Sequence, residues 1–213
     1  MSSAICHDVK LLDLSRLDAA TVSATPFPHL VIEDFLAGID KHQLLADLPE
    51  IDLGGSIPLE QTHPRGLFAQ LLDELFSDAL KQRIAEKFQL DLHEHPAHIT
   101  YRARARMKDG RIHTDSKSKL ITVLFYLNPQ WEHDAGRLRL LYNDHDLDHY
   151  AAEITPLLGT CLIFQVTDNC WHGHYPLGAS RRSIQLNYLV DESAKRGQSQ
   201  KHRFSAWVKK LLG

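Results

Sequence analysis

A change of pattern near residue 97 narrows the range of folds open to this chain. Beyond that point apolar, β-branched and aromatic residues come in short runs bounded by turn residues, which is typical of β-strands. The runs predict strands over residues 98–107, 119–127, 137–142, 160–166 and 181–190. The connections vary in length and leave no room for crossover helices between most strands. The second half of the chain therefore predicts a jelly-roll-like sandwich or barrel, not a parallel α/β sheet.

The first 96 residues carry helical patterns beside a single strand. A compact apolar run predicts a strand over residues 29–36. Asp40 stands where an N-cap would, before a short apolar helix that Pro49 ends. From Leu67 to Phe88 apolar residues recur every three to five positions, which predicts one or two amphipathic helices. We expect these helices to support the sheet.

Three segments follow from these patterns. Residues 1–96 form a strand and supporting helices within the same domain as the β core over residues 97–192, although residues 1–26 show no strong periodicity. Residues 193–213 place apolar side chains among Lys and Arg and predict a basic amphipathic helix. Because this helix is short, docking onto the domain is favoured over a membrane-surface role.

Charge and apolar content exclude several classes of protein. The 24 Lys and Arg nearly balance 27 Asp and Glu, so the net charge of −3 recruits neither nucleic acid nor anionic lipid. No apolar run approaches the ~20 residues of a membrane-spanning helix, and no targeting segment is evident. Three cysteines form no Cys-x-x-Cys pair, which argues against a disulfide framework and leaves Cys161 and Cys170 as packing residues. We expect a cytoplasmic protein, and the sequence does not predict an oligomeric state.

Histidine supplies the first chemical signal. His113 and Asp115 lie two positions apart at a strand edge, just after the turn Asp109-Gly110, so in an extended chain their side chains can face one ion. This pair alone is expected about once by chance in a chain with 14 histidines. Farther along the chain His172 follows an apolar strand, and Arg181 comes nine residues after it. His174 could replace His172, because the two would share a strand face.

These residue types suit one kind of metal chemistry. Two imidazoles and one carboxylate can hold Fe(II) on one face and leave the opposite coordination positions open. An arginine in a partly buried pocket offers a planar fork for the distal carboxylate of a dicarboxylate cosubstrate. Alternation places Arg181, Ser183, Gln185 and Asn187 on one strand face and Arg182 on the other, so Ser183 can add a hydroxyl donor beside Arg181.

At these residues the sequence resembles the Fe(II)/2-oxoglutarate-dependent dioxygenases, and specifically their prolyl-hydroxylase-like group. The resemblance covers about residues 97–190 and rests on His113-Thr-Asp115, Ile121-Thr-Val-Leu-Phe-Tyr-Leu-Asn128, Gly136-Arg-Leu-Arg-Leu140, Leu162-Ile-Phe164, His172 and Arg181-Arg-Ser-Ile. It implies a mainly β fold with a double-stranded β-helix core, of the jelly-roll or cupin-like kind, supported by N-terminal helices.

The resemblance also implies roles for individual residues. His113, Asp115 and His172 are the expected iron ligands, and the nine-residue spacing to Arg181 favours His172 over His174. Arg181 is the expected anchor of 2-oxoglutarate, and Tyr126 is expected to donate its hydroxyl to the same carboxylate.

Three positions refine the resemblance. Ala135-Gly136 stands where the family usually has Gly-Gly, a small change. Because Asp115 is present, the carboxylate-free site of related halogenases is disfavoured. Asn187 stands where the nucleic-acid-repair branch has a second arginine, so a nucleic-acid substrate is disfavoured as well.

The implied activity is hydroxylation of an unactivated carbon. It uses Fe(II) as the metal, consumes 2-oxoglutarate and dioxygen as cosubstrates, and has ascorbate as a candidate reductant. The expected substrate is a peptidyl proline or another amino-acid residue. Alternatives are the same chemistry on a small metabolite, carbohydrate or lipid, and a non-catalytic cupin-like metal-binding or sensor module. A partner-binding jelly roll that uses residues 143–156 and the C-terminal helix is a further alternative.

Two other clusters allow more than one interpretation. Arg102, Arg104 and Arg106 alternate on one strand face, where they would meet an acidic substrate or form a solvated edge that discourages strand pairing. Residues 143–149 carry Asn, Asp and His side chains that could bind a second metal, but their context favours a surface or substrate-covering loop.

Overall fold

Local sequence signals explain where the helices begin. The computed structural model describes residues 10–197, so Cys6 and most of the predicted C-terminal helix lie outside the described residues. Asp40 accepts hydrogen bonds from the backbone N–H groups of His42 and Gln43, which confirms the predicted cap. Ser77 caps the helix that starts at Asp78 by accepting from the N–H of Leu80. The α-helices are α1 (Leu14–Ala19), α2 (Lys41–Ala46), α3 (Gly66–Leu75) and α4 (Asp78–Phe88).

Helix α1 was not predicted. It has six residues and buries one of them, Leu17, so it is too short to show a helical repeat in the sequence. In the described part of the chain every helix is too short or too polar to cross a membrane.

The strands form two antiparallel sheets. The larger sheet has the order β1-β7-β4-β9-β3-β2 and the smaller one the order β6-β5-β8. This arrangement confirms the mainly β class with flanking helices. The strands are β1 (His29–Ile32), β2 (Ile57–Pro58), β3 (Ala97–Arg104), β4 (Lys119–Tyr126), β5 (Leu138–Leu141), β6 (Tyr150–Ile154), β7 (Cys161–Gln165), β8 (His172–Gly173) and β9 (Ser180–Leu189).

The N-terminal segment joins the larger sheet directly. Strand β1 pairs with β7, with Leu30 opposite Ile163, and β2 pairs with β3, with Ile57 opposite Tyr101. Residues from both halves of the chain thus share one hydrogen-bonded sheet.

The segment over residues 143–156, for which no strand was predicted, contains one in its second part. Strand β6 pairs with β5, with Leu138 opposite Ile154 and Leu140 opposite Ala152. The strand has two alanines and a glutamate among its five residues, so it lacks the β-branched signal that marks the other strands.

Alternation along the strands of the larger sheet creates two different faces. In β4, Ile121, Val123 and Phe125 belong to the apolar core that includes the helices. Leu124 and Tyr126 point the other way and pack in a second apolar cluster with residues of the smaller sheet. The helices therefore close one face of the large sheet, and a cavity opens on the other.

Candidate active site

Strands β4, β9 and β3 lie side by side and form the floor of a cavity of about 480 Å³. Residues directly opposite one another in an antiparallel register share a face, so three rows of side chains point toward the same side of the sheet. Seven of these nine residues line the cavity. The rows are Tyr126–Ser183–Arg102, Leu124–Gln185–Thr100 and Thr122–Asn187–His98.

Two histidines face each other across a backbone bridge at one end of this floor. The N–H of His113 donates to the carbonyl of His172, and the N–H of His172 donates to the carbonyl of His113, both at 3.0 Å. The ring centroids are 4.3 Å apart. The main chain therefore fixes the spacing of the two imidazoles.

Backbone carbonyls also set the tautomer of both rings. Nδ1 of His113 lies 2.8 Å from the carbonyl oxygen of Arg111, and Nδ1 of His172 lies 2.8 Å from that of Cys170. A carbonyl oxygen only accepts, so each Nδ1 carries the proton and donates it, which leaves the lone pair on Nε2 free for a metal. Burial, and then the neighbouring His113, lowers the pKa of His172 to about 4, so this ring is neutral at neutral pH.

Asp115 completes the group. One carboxylate oxygen accepts from the Lys119 ammonium at 2.9 Å, and the other accepts from the Thr122 hydroxyl at 2.5 Å. Burial alone would raise the pKa of Asp115, but Lys119, His172 and the Thr122 hydrogen bond together hold it below the usual value. The Asp115 side chain is therefore an ionised carboxylate at neutral pH.

The structure brings the three predicted metal ligands together. One ligand atom from each of His113, Asp115 and His172 lies within 4.8 Å of the others, and among the described residues no other His, Cys, Asp or Glu group gathers in this way. Two imidazoles and one carboxylate are the donor set that suits Fe(II) with open coordination positions. The side chains present therefore fit that ion.

His174, the alternative ligand, lies outside this trio. Strand β8 ends at Gly173, so the alternation that would have placed His174 beside His172 does not continue. Its Nδ1 lies 2.8 Å from the Tyr175 carbonyl, and burial followed by the charge of Arg181 lowers its pKa to about 4. His174 lines the cavity but does not join the ligand group.

Arg181 faces the cavity, as alternation predicted. The residue is 5% exposed, its Nε donates to the carbonyl of Gly136 at 2.8 Å, and its terminal nitrogen donates to the Tyr126 hydroxyl at 3.5 Å. Ser183 lines the same cavity, whereas Tyr126 is fully buried and contacts Arg181. The guanidinium also lies 5.2 Å from the centroid of the Tyr126 ring. A buried, oriented guanidinium beside a hydroxyl can bind a carboxylate.

Two cavity residues that contact Asp115, Lys119 and Thr122, were not predicted from the sequence. Thr122 could have been found by stepping back by twos from Tyr126 along β4, and Lys119 by its spacing of four from Asp115. Arg102 was noted in the arginine stripe, but the pairing of β3 with β9, which brings it opposite Ser183, is not visible in the sequence. The idea of a solvated edge holds for exposed Arg104 and fails for Arg102, because β3 lies between β9 and β2.

The Asn, Asp and His cluster over residues 143–149 is a turn held by its own hydrogen bonds. Asn143 Oδ1 accepts from the backbone N–H groups of His145 and Asp146, and Asp148 pairs with Arg139. The arrangement matches the expected surface loop, with its side chains used in local contacts.

Comparison with known proteins gives one family match. Residues 93–189 match the 2OG-Fe(II) oxygenase superfamily. No curated protein is similar enough to the chain to count as a match.

Solved structures resemble the chain at low sequence identity. A prolyl 4-hydroxylase from Phytophthora capsici is 18% identical with a TM-score of 0.52, over 88% of this chain and 68% of that one. The viral collagen prolyl hydroxylase of Paramecium Bursaria Chlorella virus-1, solved with 2-oxoglutarate (2OG), is 14% identical with a TM-score of 0.50, over 75% and 93% of the two chains. The chain spans 62% of the length of a Pseudomonas putida prolyl-4-hydroxylase, at 21% identity, 52% coverage of this chain and a TM-score of 0.41. The double-stranded β-helix core is thus confirmed.

Proposed function

We propose that the chain, whose residues 93–189 match the 2OG-Fe(II) oxygenase superfamily, hydroxylates an unactivated carbon with Fe(II) and 2-oxoglutarate as its cofactors. The observation that carries the proposal is one cavity that holds both a group of two histidines with a carboxylate and a buried arginine. A metal-binding module without turnover would need the first feature and not the second.

His113, Asp115 and His172 are the proposed iron ligands. Support comes from the two Nε2 lone pairs that the Nδ1 hydrogen bonds leave free, and from a carboxylate that its surroundings keep ionised. Lys119 and Thr122 hold the Asp115 carboxylate in place through one hydrogen bond each. Neighbours of this kind orient a ligand and tune its basicity.

Arg181, Ser183 and Tyr126 form the proposed site for the distal carboxylate of 2-oxoglutarate. The Gly136 carbonyl and the Tyr126 hydroxyl hold the guanidinium so that it has little freedom to lose when an anion binds. Tyr126 accepts from Arg181, which leaves its own hydroxyl proton available to the same carboxylate. Ser183 can add a second hydroxyl from the neighbouring position on the strand.

When bound, Fe(II) with 2-oxoglutarate and dioxygen supplies the oxidation of a C–H bond and yields carbon dioxide and succinate. Ascorbate is the proposed reductant that maintains the ferrous state. The chain contributes the ligand face, the carboxylate anchor and walls that limit the entry of water.

We propose a peptidyl proline or another amino-acid residue as the substrate. Support comes from the fold shared with the prolyl 4-hydroxylase of Phytophthora capsici and the collagen prolyl hydroxylase of the Chlorella virus. Since a fold does not determine a substrate, the residues that line the cavity must decide it.

Two measurements test the proposal. The anaerobic Fe(II) protein titrated with 2-oxoglutarate should develop a visible charge-transfer band, and the aerated mixture should release succinate. Asp115→Ala should abolish both signals because one of three ligands is lost. Stoichiometric iron binding without the band and without succinate would instead identify a non-catalytic metal-binding module.

A further inference from the structure

Positive charge exceeds negative charge around the cavity. Two carboxylates, Asp109 and Asp115, line it together with five cationic side chains: Arg102, Lys108, Arg111, Lys119 and Arg181. This excess contrasts with the net charge of −3 for the whole chain. Fe(II) and the dianion 2-oxoglutarate have opposite charges of equal size, so they leave the excess unchanged. An uncompensated excess of this kind concentrates anions at a cleft.

Two of the five cations already serve the proposed metal and cosubstrate sites. Lys119 donates to Asp115, and Arg181 faces the proposed cosubstrate site. Lys108 and Arg111 are exposed and stand at the rim of the cavity. Arg102 differs from these four, because it rises from the cavity floor and is not assigned to either cofactor.

Arg102 is placed to meet a second anion. It lies opposite Ser183 in the register of β3 and β9, and its side chain is 27% exposed. Its two hydrogen bonds within the described residues are long, at 3.3 Å to Asp109 and 3.4 Å to Ser56. These contacts orient the guanidinium but use little of its five-donor capacity.

Asp109 does not depend on Arg102 for neutralisation. Arg106 contacts both carboxylate oxygens of Asp109, at 2.9 Å from its terminal nitrogen and 3.2 Å from Nε, and also donates its backbone N–H at 2.9 Å. Arg102 can therefore turn its fork toward the cavity without leaving Asp109 an unpaired charge.

Arg102 and Arg181 also influence each other. Burial lowers the pKa of Arg102, the charge of Asp109 opposes that effect, and the charge of Arg181 adds to it. Two guanidinium groups in one partly buried cavity repel each other unless anions bind beside them. One cosubstrate carboxylate satisfies Arg181 and leaves Arg102 for another.

We infer that Arg102, with Lys108 and Arg111 at the rim, binds a carboxylate of the primary substrate, so that the enzyme selects a free amino acid or an acidic peptide over the corresponding amide. The inference rests on the proposed function, since it assigns the substrate of the same site. A planar guanidinium binds a carboxylate through two parallel hydrogen bonds, and this geometry would orient the substrate relative to the metal end of the floor.

Matched acid and amide probes test the inference. The pairs are L-proline with L-prolinamide, L-glutamate with L-glutamine, and N-acetyl-Glu-Pro-amide with N-acetyl-Gln-Pro-amide. Binding to the anaerobic Fe(II) and 2-oxoglutarate protein is measured by calorimetry, and succinate release is measured in air. We expect the dissociation constant of the acid to be lower than that of its amide by about tenfold or more in at least one pair. The pair that responds distinguishes an α-carboxylate from a side-chain carboxylate.

Two variants assign the preference to a residue. Arg102→Gln should reduce the acid preference to about onefold to twofold, whereas Arg104→Gln should retain it, because Arg104 is exposed on the same strand and pairs with Asp52. The affinity for 2-oxoglutarate should fall in Arg181→Gln and not in Arg102→Gln. Equal losses of 2-oxoglutarate affinity in both variants would overturn the inference, since Arg102 would then serve the cosubstrate.

Other outcomes separate the two proposals. No preference for the acid in any pair overturns the inference even if the protein releases succinate. Tighter binding of N-acetyl-phosphoserine-Pro-amide than of the glutamate peptide also overturns it, in favour of a phosphate. If no probe or cosubstrate mixture releases succinate, the proposed function fails, whereas a calorimetric preference that depends on Arg102 would still support the carboxylate site.

Discussion

Thr122 holds Asp115 through a hydrogen bond that joins two residues seven positions apart. The Thr122 hydroxyl donates to Oδ2 of Asp115 from the middle of β4. Lys119, the first residue of the same strand, donates to the other carboxylate oxygen. The orientation of a predicted metal ligand is therefore set by the strand that forms the cavity floor.

Thr122→Val should weaken Fe(II) binding about 10- to 100-fold, because the valine methyl fills the space of the hydroxyl but cannot donate to Asp115. Thr122→Ser retains the hydroxyl and should remain within a few-fold of the unmodified protein. Anaerobic Fe(II) titration measures both affinities, and an unchanged dissociation constant in the valine variant would remove Thr122 from this role.

His172→Ala should abolish stoichiometric Fe(II) binding, and His174→Ala should retain it. The reason is that His172 joins His113 and Asp115 within 4.8 Å, whereas His174 turns toward the Tyr175 carbonyl. Metal content after anaerobic dialysis is the measurement. The reverse result would assign the third ligand to His174.

Arg181→Ala should raise the KM for 2-oxoglutarate about 10- to 100-fold, the loss expected for a charge-assisted hydrogen bond to a carboxylate. Arg182→Ala is the matched control. It also removes one positive charge, but the Arg182 side chain is next to Arg181 in sequence and does not line the cavity. Tyr126→Phe should give a smaller increase, since Arg181 remains. Similar KM values in all three variants would contradict the assigned anchor.

Gly110→Ala should destabilise the protein by about 1–3 kcal/mol and should also weaken metal binding. Gly110 has φ +93°, and a Cβ there would overlap the carbonyl and ring of His174, so the segment that leads to His113 would have to move. Gly38→Ala is the control, because nothing lies within 4 Å of its Cβ. Thermal unfolding of the two variants makes the comparison, and equal melting temperatures would contradict the expected strain.

Cys161 should make stability fall as pH rises above 9. Burial raises the pKa of this thiol well above its ordinary 9.0, so the folded protein keeps the proton while the unfolded chain releases it. The contribution to stability is complete below pH 9 and decreases by up to about 1.4 kcal/mol per pH unit above it. Cys161→Val should show a shallower decline between pH 9 and 10 in urea unfolding. Parallel declines would show that the thiol stays exposed to solvent.

Local signals predicted much of this structure. The capping position of Asp40, the helical repeat between residues 67 and 88 and the strand runs after residue 97 appear where the sequence placed them. Alternation by two was sufficient to place Arg181 and Ser183 on the cavity face, because it depends on one strand alone.

Features that depend on pairing between distant segments were not predicted. Arg102 reaches the cavity because β3 pairs with β9, and β8 has only two residues, too few for any pattern. Strand β6 lacks β-branched residues, and α1 is too short to show a repeat. The division into residues 1–96, 97–192 and 193–213 stays a prediction, as do the roles of the site residues.

The reciprocal backbone bridge between His113 and His172 has a consequence for which metal the protein carries. Because the peptide groups fix the distance between the two imidazoles, the nitrogen ligands have the same spacing for any metal ion. The protein therefore cannot exclude a competing metal by changing the geometry of these two ligands. Nickel, copper and zinc bind nitrogen and oxygen donors more tightly than ferrous iron does. Iron occupancy would then reflect the supply of metals in the cell more than the intrinsic preference of the ligands.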